Sequence, residues 1–368
     1  MLLFATLRGQ VDDELLTSAE VARLLRVHPK HLYRLLRRGL PGHRLGRGHW
    51  RFRRDEVLAW MSAATVASPG EPVVEVELAR PPREGDPGPS RVVLGRVNDR
   101  WVAHALGSQS WRSADGLLLA PSARSLPRMR ASVHASPEVL ATNVLVAGCA
   151  PVLAMVLDRV ERTVPGRAHW IPTNSTTALQ QLADGLVHVA GIHLEDHDAG
   201  ADHARLVRAR LGRPAHVIRL VRWQTGVALP TALAGRTLDE LLRPSVRWIV
   251  REPGAGARVV LERALARVGA STADLHAVRM AVDHDAVARM VSLGVADAGP
   301  CIEPVARAHG LGFLPLVDEG FDLVVTAETS TLPHVARLLH ALDDTCLRKE
   351  VGAVGPYDAS AMGHAFAA

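Results

Sequence analysis

Two regions of this chain hold residue types that can do chemistry, and both suit an anionic partner. The first runs from Arg26 to Arg54 without an acidic residue. Arginines and a lysine at that density neutralise phosphates and release condensed counterions. The second is a set of three turns of small and polar residues, Gly148–Ala150, Asn174–Thr177 and Gly254–Arg258, each opening an apolar run of helical period. A helix start offers unpaired amides and a partial positive charge. Asn174, Ser175, Thr176 and Thr177 add side-chain donors there, and Arg258 adds a charged fork. Cys149 sits at one of these helix starts, where thiol sensing is one reading, although a small buried residue is the plainer one. A third cluster, His193 to His203, is rich in His and carboxylates and can supply zinc or another transition metal. Its spacing matches no standard ligand motif, and a polar loop after a strand reads the same. No metal is therefore assigned. His193, at a strand end, is instead placed with the anion-binding turns, as are, more weakly, Asp283 and His284 just ahead of a helix.

The elements that must position the basic residues are short. Thr17-Ser-Ala-Glu20 is a capping box, followed by Val21, Leu24 and Leu25 on one helical face. After the break Val27-His28-Pro29, a second helix from Lys30 to Arg38 turns Leu32, Leu35 and Leu36 inward and stops at Gly39. Lys30, His31, Arg34, Arg37 and Arg38 face outward. Leu45 to Phe52 reads as a hairpin wing with Arg47 near its tip, Trp50 and Phe52 in the core, and Arg51 and Arg53 outside. Asp55 to Met61 closes the unit as a helix burying Val57, Leu58 and Trp60. The whole is a helix-turn-helix with a wing.

This run of about 47 residues resembles the excisionase/MerR-like winged helix-turn-helix family. The resemblance implies DNA binding, with the second helix in the major groove and the wing against the backbone. Carried onto this chain, Lys30, His31, Tyr33, Arg34, Arg37 and Arg38 would serve from the helix, and Arg44, Arg47, His49, Arg51 and Arg53 from the wing. His28 is a departure, standing where the family usually has a capping Ser or Thr.

Beyond it, a Pro/Gly-rich stretch from Ser68 to Ser90 reads as linker, and residues 91–137 as connector with one hairpin. From Ala141 strands and helices alternate, which argues for α/β architecture with largely parallel sheets. Val217–Arg222 and Gly226–Leu229 read as separate strands, as do Phe313–Val317 and Leu323–Thr326. A last helix is expected from Leu332 to about Leu347.

Five passages carry a second resemblance: Val146-Ala-Gly-Cys-Ala-Pro151, Thr173-Asn-Ser-Thr-Thr-Ala178, Val189-Ala-Gly-Ile-His-Leu194, Trp248 to Arg258, and Gly294-Val-Ala-Asp-Ala-Gly299. They resemble the type 2 periplasmic-binding-protein fold, closest to cytoplasmic molybdate- and tungstate-binding-related domains that follow helix-turn-helix modules. The resemblance implies two α/β lobes with a ligand in the cleft between them. Gly148, Cys149, Asn174, Ser175, Thr176, Thr177, His193, Gly256, Arg258 and Asp283 are its candidate contacts here. The family commonly has Gly-Ser-Gly-Thr-Arg in the last turn. This chain has Gly-Ala-Gly-Ala-Arg, and the lost hydroxyls shift the expected ligand from molybdate or tungstate toward an organic anion.

Composition agrees with two functions in one chain. Of 368 residues, 48% are hydrophobic and 22% charged, which is globular composition. The formal charge is +5, yet Thr17 to Met61 alone carries eleven Arg/Lys against three Asp/Glu, leaving the remainder mildly acidic. Three distant cysteines form no disulfide framework, so free thiols in a reducing compartment are expected. The start MLLFATLRGQ lacks a basic n-region, and the most apolar run, Val144 to Leu157, is 14 residues where a membrane span needs about 20. Cytoplasmic, nucleoid-associated localisation follows. The chain shows no G-x-S-x-G, no Walker A and no nucleophile–base–orienter set, so no enzyme is expected. The reading is a one-component transcriptional regulator binding double-stranded DNA and a small effector. Because one module covers half an operator, a homodimer is expected. Its parts are a DNA-binding domain over 15–63, a connector over 64–138, a ligand-sensing domain over 139–350 and a tail over 351–368. An enzyme on the two-lobed scaffold, or an architectural DNA binder with a ligand-free second domain, are the alternatives.

Overall fold

The computed structural model describes residues 15–37, 40–45, 49–58, 60, 72–80, 91–107, 112–119, 129–162, 165–193 and 199–367. It divides into two compact units, Met1–Leu94 with Ala103–Pro137, and Gly95–Val102 with Glu138–Ala368.

The N-terminal part of the first unit is the expected winged helix-turn-helix. In order come β1 (Leu15–Thr17), α1 (Ser18–Leu24), α2 (Pro29–Arg37), β2 (His43–Leu45), β3 (His49–Arg53) and α3 (residues 54–58). The capping box forms: Thr17 Oγ1 accepts from the Glu20 amide at 3.3 Å, and Glu20 Oε2 accepts from the Thr17 amide at 2.7 Å. The wing gains a third strand, since β1 pairs with β3. Leu16, Val21, Leu32, Leu40, Phe52 and Val57 form the core. Leu58, expected inside, is 37% exposed because α3 turns only one face to that core. Gly42 permits a close approach: a Cβ there would lie 2.8 Å from Phe52 Cε1.

The stretch read as linker and connector holds a closed barrel. β4 (Val73–Leu78), β5 (Arg91–Val97), β6 (Arg100–Ala105), β7 (Gly116–Leu119) and β8 (Met129–Val133) join in the order β4-β6-β5-β7-β8, and β4 pairs with β8 to close it. Val73-Val-Glu-Val-Glu-Leu78 alternates as a half-buried strand should, but its Pro/Gly-rich flanks masked that period. Val74, Val76, Val92, Leu94, Val102 and Ala131 point inward. Buried Asp115 accepts the Leu94 amide at 2.8 Å. Residues 95–102, the far end of the β5–β6 hairpin, group with the second unit.

The second unit is α/β and two-lobed. Its elements are α4 (Pro137–Leu140), β9 (Val144–Gly148), α5 (Val152–Glu161), β10 (Ala168–Pro172), α6 (Ser175–Ala183), β11 (Val189–Ile192), α7 (Ala199–Leu211) and β12 (Ala215–Leu229). Then follow α8 (Leu238–Leu241), β13 (Arg247–Arg251), α9 (Gly256–Arg267), β14 (His276–Ala281), α10 (His284–Ser292), β15 (Gly299–Ile302), α11 (Glu303–Ala308) and β16 (Gly312–Thr326). It ends with α12 (Ala327–Ser330), α13 (Pro333–Ala341), α14 (Thr345–Val354) and β17 (Ala365–Ala367). The main sheet runs β10-β9-β11-β16-β12-β15, with β17 also on β12. β10, β9 and β11 are parallel, whereas β16, β12, β15 and β17 pair antiparallel. The sheet is thus mixed, not largely parallel.

What were read as four short strands are two long ones. β12 and β16 are 15 residues each and pair along almost their whole length, through both lobes. Their polar centres, Arg222–Thr225 opposite Val317–Gly320, resemble loops in sequence because there the strands pass from one lobe's core to the other's. Bulges fall at Arg219/Val221 and Thr225/Gly226, on either side of that crossing. Strands β9–β11 with α5 and α6 build the first lobe. Strands β13–β15 with α9 and α10 build the second, whose separate core includes Val227, Leu229, Trp248, Leu261 and Leu265.

Three further expectations change. α7 replaces a polar loop. The last helix is broken, because Asp344 stops α13's continuation and caps α14 through the Cys346 amide at 2.8 Å. The tail over 351–368 is largely folded: α14 extends to Val354, and β17 pairs Ala365 with Ile218. Among the described residues no helix is long and apolar enough to cross a membrane.

Candidate functional site

The basic face is built on α2. The turn before it passes through Arg26 at φ 51°, a left-handed conformation that reverses the chain tightly. His28 then does the work of the missing hydroxyl: its Nδ1 accepts from the Lys30 amide at 3.3 Å. Lys30, His31, Tyr33 and Arg34 stand exposed on α2, with Arg44 and His49 exposed on the wing strands. Arg51 and Arg53 are only half-exposed: Arg51 donates to the Trp50 carbonyl at 3.0 Å and Arg53 pairs with Asp55 at 3.3 Å. The side chain of Arg37, and all of Arg38 and Arg47, lie outside the described residues.

In the second unit the turns of α6 and α9 meet across the lobes. Thr176 Oγ1 donates to the Gly254 carbonyl at 3.2 Å. Gly254 itself sits at φ +86°, and a Cβ on it would be 3.5 Å from Asn174 Oδ1. Two residues on, a Cβ on Gly256 would fall 2.5 Å from the His193 carbonyl oxygen and 2.7 Å from its ring Cε1. The lobes are closed on one another here, and only glycine fits. Buried Ser175 bridges to the same residue, its Oγ accepting the His193 amide at 3.1 Å and donating to its carbonyl at 3.3 Å. Asn174 caps α6 through the Thr177 amide at 2.9 Å. The α5 and α9 starts have no side-chain cap, as Pro151 and Ala255 stand at those positions.

Two expected contacts turn elsewhere. Arg258 starts its helix in the cleft but folds along it, donating to Glu262 at 2.7 Å and to the Arg251 carbonyl at 3.0 Å. An i,i+4 carboxylate claims its guanidinium. Asp283 caps α10 through the Ala286 amide at 2.6 Å, which leaves its neighbour His284 as the buried residue.

Between the lobes, Cys149, His193 and His284 gather, all buried, with one donor atom from each within 4.8 Å of the others. They are the residues here that could hold a metal. Of the His193–His203 cluster, His193 joins them; residues 194–198 and the side chains of 199–203 lie outside the described residues. His193 Nδ1 lies 3.0 Å from Glu319 Oε2, and that oxygen also accepts from Thr225 Oγ1, itself held by Trp223 Nε1 at 3.1 Å. Trp223 and Phe321 wall the imidazole, with ring centroids 5.3 and 6.2 Å away. Burial opposes a charged His193 ring, but the Cys149 sulfur and the Glu319 carboxylate outweigh it and push the pKa up to about 10. His284 goes the other way. Burial, then the positive charges of Arg251 and His193, hold it well below the usual histidine range. Its Nδ1 is 3.4 Å from Arg251 Nη1, and Nε2 is buried without a hydrogen-bond partner among the described residues. Arg251, fully buried, is fixed side-on by Glu252 at 3.0 and 3.1 Å and by the Val282 carbonyl at 3.1 Å.

Glu319, Arg251, Thr225 and Trp223 were absent from the sequence reading. Their one signal was a polar residue within or between apolar runs, Arg251 at the end of Val246–Arg251 and Glu319 between Phe313–Val317 and Leu323–Thr326. Cys149, His193 and Glu319 also stand as thiol, imidazole and orienting carboxylate, a set drawn from two strand ends and the middle of β16 that spacing alone does not show.

Residues 15–65 match the family described as a helix-turn-helix domain, and residues 157–343 the PBP superfamily domain. The uncharacterized protein YvgK of Bacillus subtilis (strain 168) is 31% identical over 199 residues, spanning 52% of this chain and 63% of that relative's length. The fold is also similar to a putative phosphate transporter substrate-binding protein with bound phosphate from Clostridium perfringens (9% identity, 58% of this chain, 98% of that one, TM-score 0.47). A further similar structure is the cofactor-binding domain of the Cbl transcriptional regulator (16% identity, 58% and 93% coverage, TM-score 0.42). With two lobes joined by β12 and β16, and more than half its length matched by that family, the chain belongs to the PBP superfamily and carries a helix-turn-helix domain ahead of it.

Proposed function

We propose that this chain is a one-component transcriptional regulator in which a small anion held between the lobes changes how the N-terminal domain engages DNA. The observation that carries the reading is the meeting of the α6 and α9 starts across the closed cleft, in a chain that also exposes Lys30, His31 and Arg34 on a recognition helix. Amides at two facing helix starts favour a carboxylate, phosphate or similar group, and a ligand touching both lobes favours closure. Ala255 and Ala257 offer no hydroxyls, so an organic anion is favoured over molybdate or tungstate. A DNA reader works on the chromosome, which supports a cytoplasmic, nucleoid-associated location. Mass spectrometry of whatever copurifies with the protein tests the ligand; a purified, DNA-binding protein whose affinity no small anion alters overturns the effector role.

Arg34→Ala and Arg44→Ala are each expected to weaken DNA binding and to lower the slope of log K against log salt by about one unit. Unchanged affinity in both, at fixed salt, sinks the docking of α2 and the wing. Light scattering should find two protomers on one operator; a monomer that stays monomeric on DNA rules out the paired half-site arrangement.

One observation favours a second reading. Cys149, His193 and Glu319 are arranged as a thiol hydrolase would need them. Turnover of activated esters, abolished by Cys149→Ser, is the result that would favour it.

A further inference from the structure

We propose that Cys149, His193 and His284 form a binding site for a thiophilic divalent transition-metal ion of the Zn2+ class, which clamps the two lobes. The site goes beyond the regulator reading and does not depend on it. Three lines of structure carry it.

First, the donor set is selective. One thiol and two imidazoles, all buried and within 4.8 Å of one another, suit zinc and its neighbours and not the oxygen-seeking Mg2+ or Ca2+. Zinc bonds of about 2.0–2.3 Å hold tetrahedral donors somewhat closer than this, so the side chains need contract by only about an ångström.

Second, the surroundings are those of a metal ligand. Glu319 accepts a hydrogen bond from His193 Nδ1–H at 3.0 Å, which fixes the ring and presents Nε2 to the ion, whose binding displaces the Nε2 proton. On His284 the long 3.4 Å contact to Arg251 occupies Nδ1, and the buried Nε2 has no hydrogen-bond partner among the described residues. A buried nitrogen in that state is costly unless something arrives to use it. To ligate through Nε2 the ring carries its proton on Nδ1, so binding gives up the long Arg251 contact; Arg251 keeps Glu252 and the Val282 carbonyl. Charge also balances: a Cys149 thiolate and the Glu319 carboxylate match a divalent ion, while Glu252 already answers Arg251.

Third, the ligands come from both lobes. Cys149 follows β9 and His193 follows β11 in the first lobe, whereas His284 opens α10 in the second. An ion bonded to all three ties the lobes in the closed arrangement. With three protein ligands, the fourth position stays open to water or to an anionic group entering the cleft.

The test uses full-length protein stripped with a chelator and titrated with Co2+ alone, then Zn2+ alone. One equivalent of Co2+ is expected, with a thiolate-to-cobalt charge-transfer band, displaced by Zn2+. C149S and H284Q should lose the band, while C346S, altered at an exposed cysteine, should keep it. E319Q, which removes no ligand but weakens the support of His193, should retain the band and bind about 10–100-fold more weakly. X-ray absorption on zinc-loaded wild type should find one sulfur at about 2.3 Å and nitrogen at about 2.0 Å, and this reading needs no variant to fold. Folded wild type that binds neither ion stoichiometrically, or a zinc shell without sulfur, overturns the site. So does rapid alkylation of Cys149 with no protection by Zn2+, which would assign the cluster to nucleophilic chemistry.

Discussion

Asp322→Ala is expected to destabilise the α/β unit by about 3–5 kcal/mol, the range seen when one member of a buried ion pair is removed. Asp322 and Arg219 face each other on β16 and β12 with 0% and 3% of their side chains exposed, and Oδ1 accepts from the Arg219 Nε. The guanidinium cannot escape to water. Gly320 lies directly against it, since a Cβ there would meet its Cζ, and Phe366 of β17 covers it with 5.3 Å from Cζ to the ring centroid. Arg219 Nη2 already has no hydrogen-bond partner among the described residues, so losing the carboxylate leaves a buried cation without its ion-pair partner, with only the electrostatic influence of Asp358 remaining. The double replacement Arg219→Met, Asp322→Leu should recover most of the loss, because the penalty belongs to the unpaired charge and not to the pair. Urea unfolding followed by tryptophan fluorescence measures both. A single variant within about 1 kcal/mol of wild type would mean the arginine is solvated, contrary to its burial.

Gly256→Val should hold the lobes apart. The closest atoms its Cβ would meet are the His193 backbone oxygen and ring, at 2.5 and 2.7 Å, and neither belongs to a flexible side-chain end. Forcing carbon into such a contact costs about 1–3 kcal/mol, which converts to a closed population lower by roughly ten- to a hundredfold. The open form loses no such contact, so overall stability should barely change. Small-angle scattering should report a larger α/β unit, and any ligand that needs both lobes should bind more weakly by the same factor. Scattering identical to wild type with unimpaired ligand affinity would show that the Gly254–Gly256 turn yields without opening the cleft.

The local rules of helices made the N-terminal domain legible. A capping box, a proline at a first helical position and an acid-free face are short-range signals, and each falls where the chain places it. His28 shows the limit of residue-type matching, since a ring nitrogen takes the capping role expected of a hydroxyl. The barrel was hidden because its strands are short and its closure joins β4 to β8 across more than fifty residues. Nothing local announces a pairing of that range.

The candidate site was legible in half. Turns at Asn174–Thr177 and Gly254–Arg258 stand out by their small residues, and they meet through Thr176 and Gly254 and on either side of His193. Glu319 and Thr225 were not, because their polar segments read as loops between strands, and Arg251 was not, because a buried polar residue in a strand has the same alternation as one facing water. Burial by the other lobe decides between them, and that is tertiary information. Asp283 and His284 are joint candidates in the sequence for a similar reason: both stand at the start of α10, and only packing tells which one turns inward.

β12 and β16 make the lobes a single inheritance. A deletion at Gln224, between the two bulges, would leave the residues before it in register and turn Val227 and Leu229 away from the second core, since one step along a strand reverses every face beyond it. Neither lobe can be lengthened, shortened or exchanged by recombination within these strands without rewriting its twin. Variation in what the cleft accepts is therefore expected to accumulate as substitutions in the turns after β9, β10, β11 and β13, with the length of the crossing segment held constant among descendants of this chain.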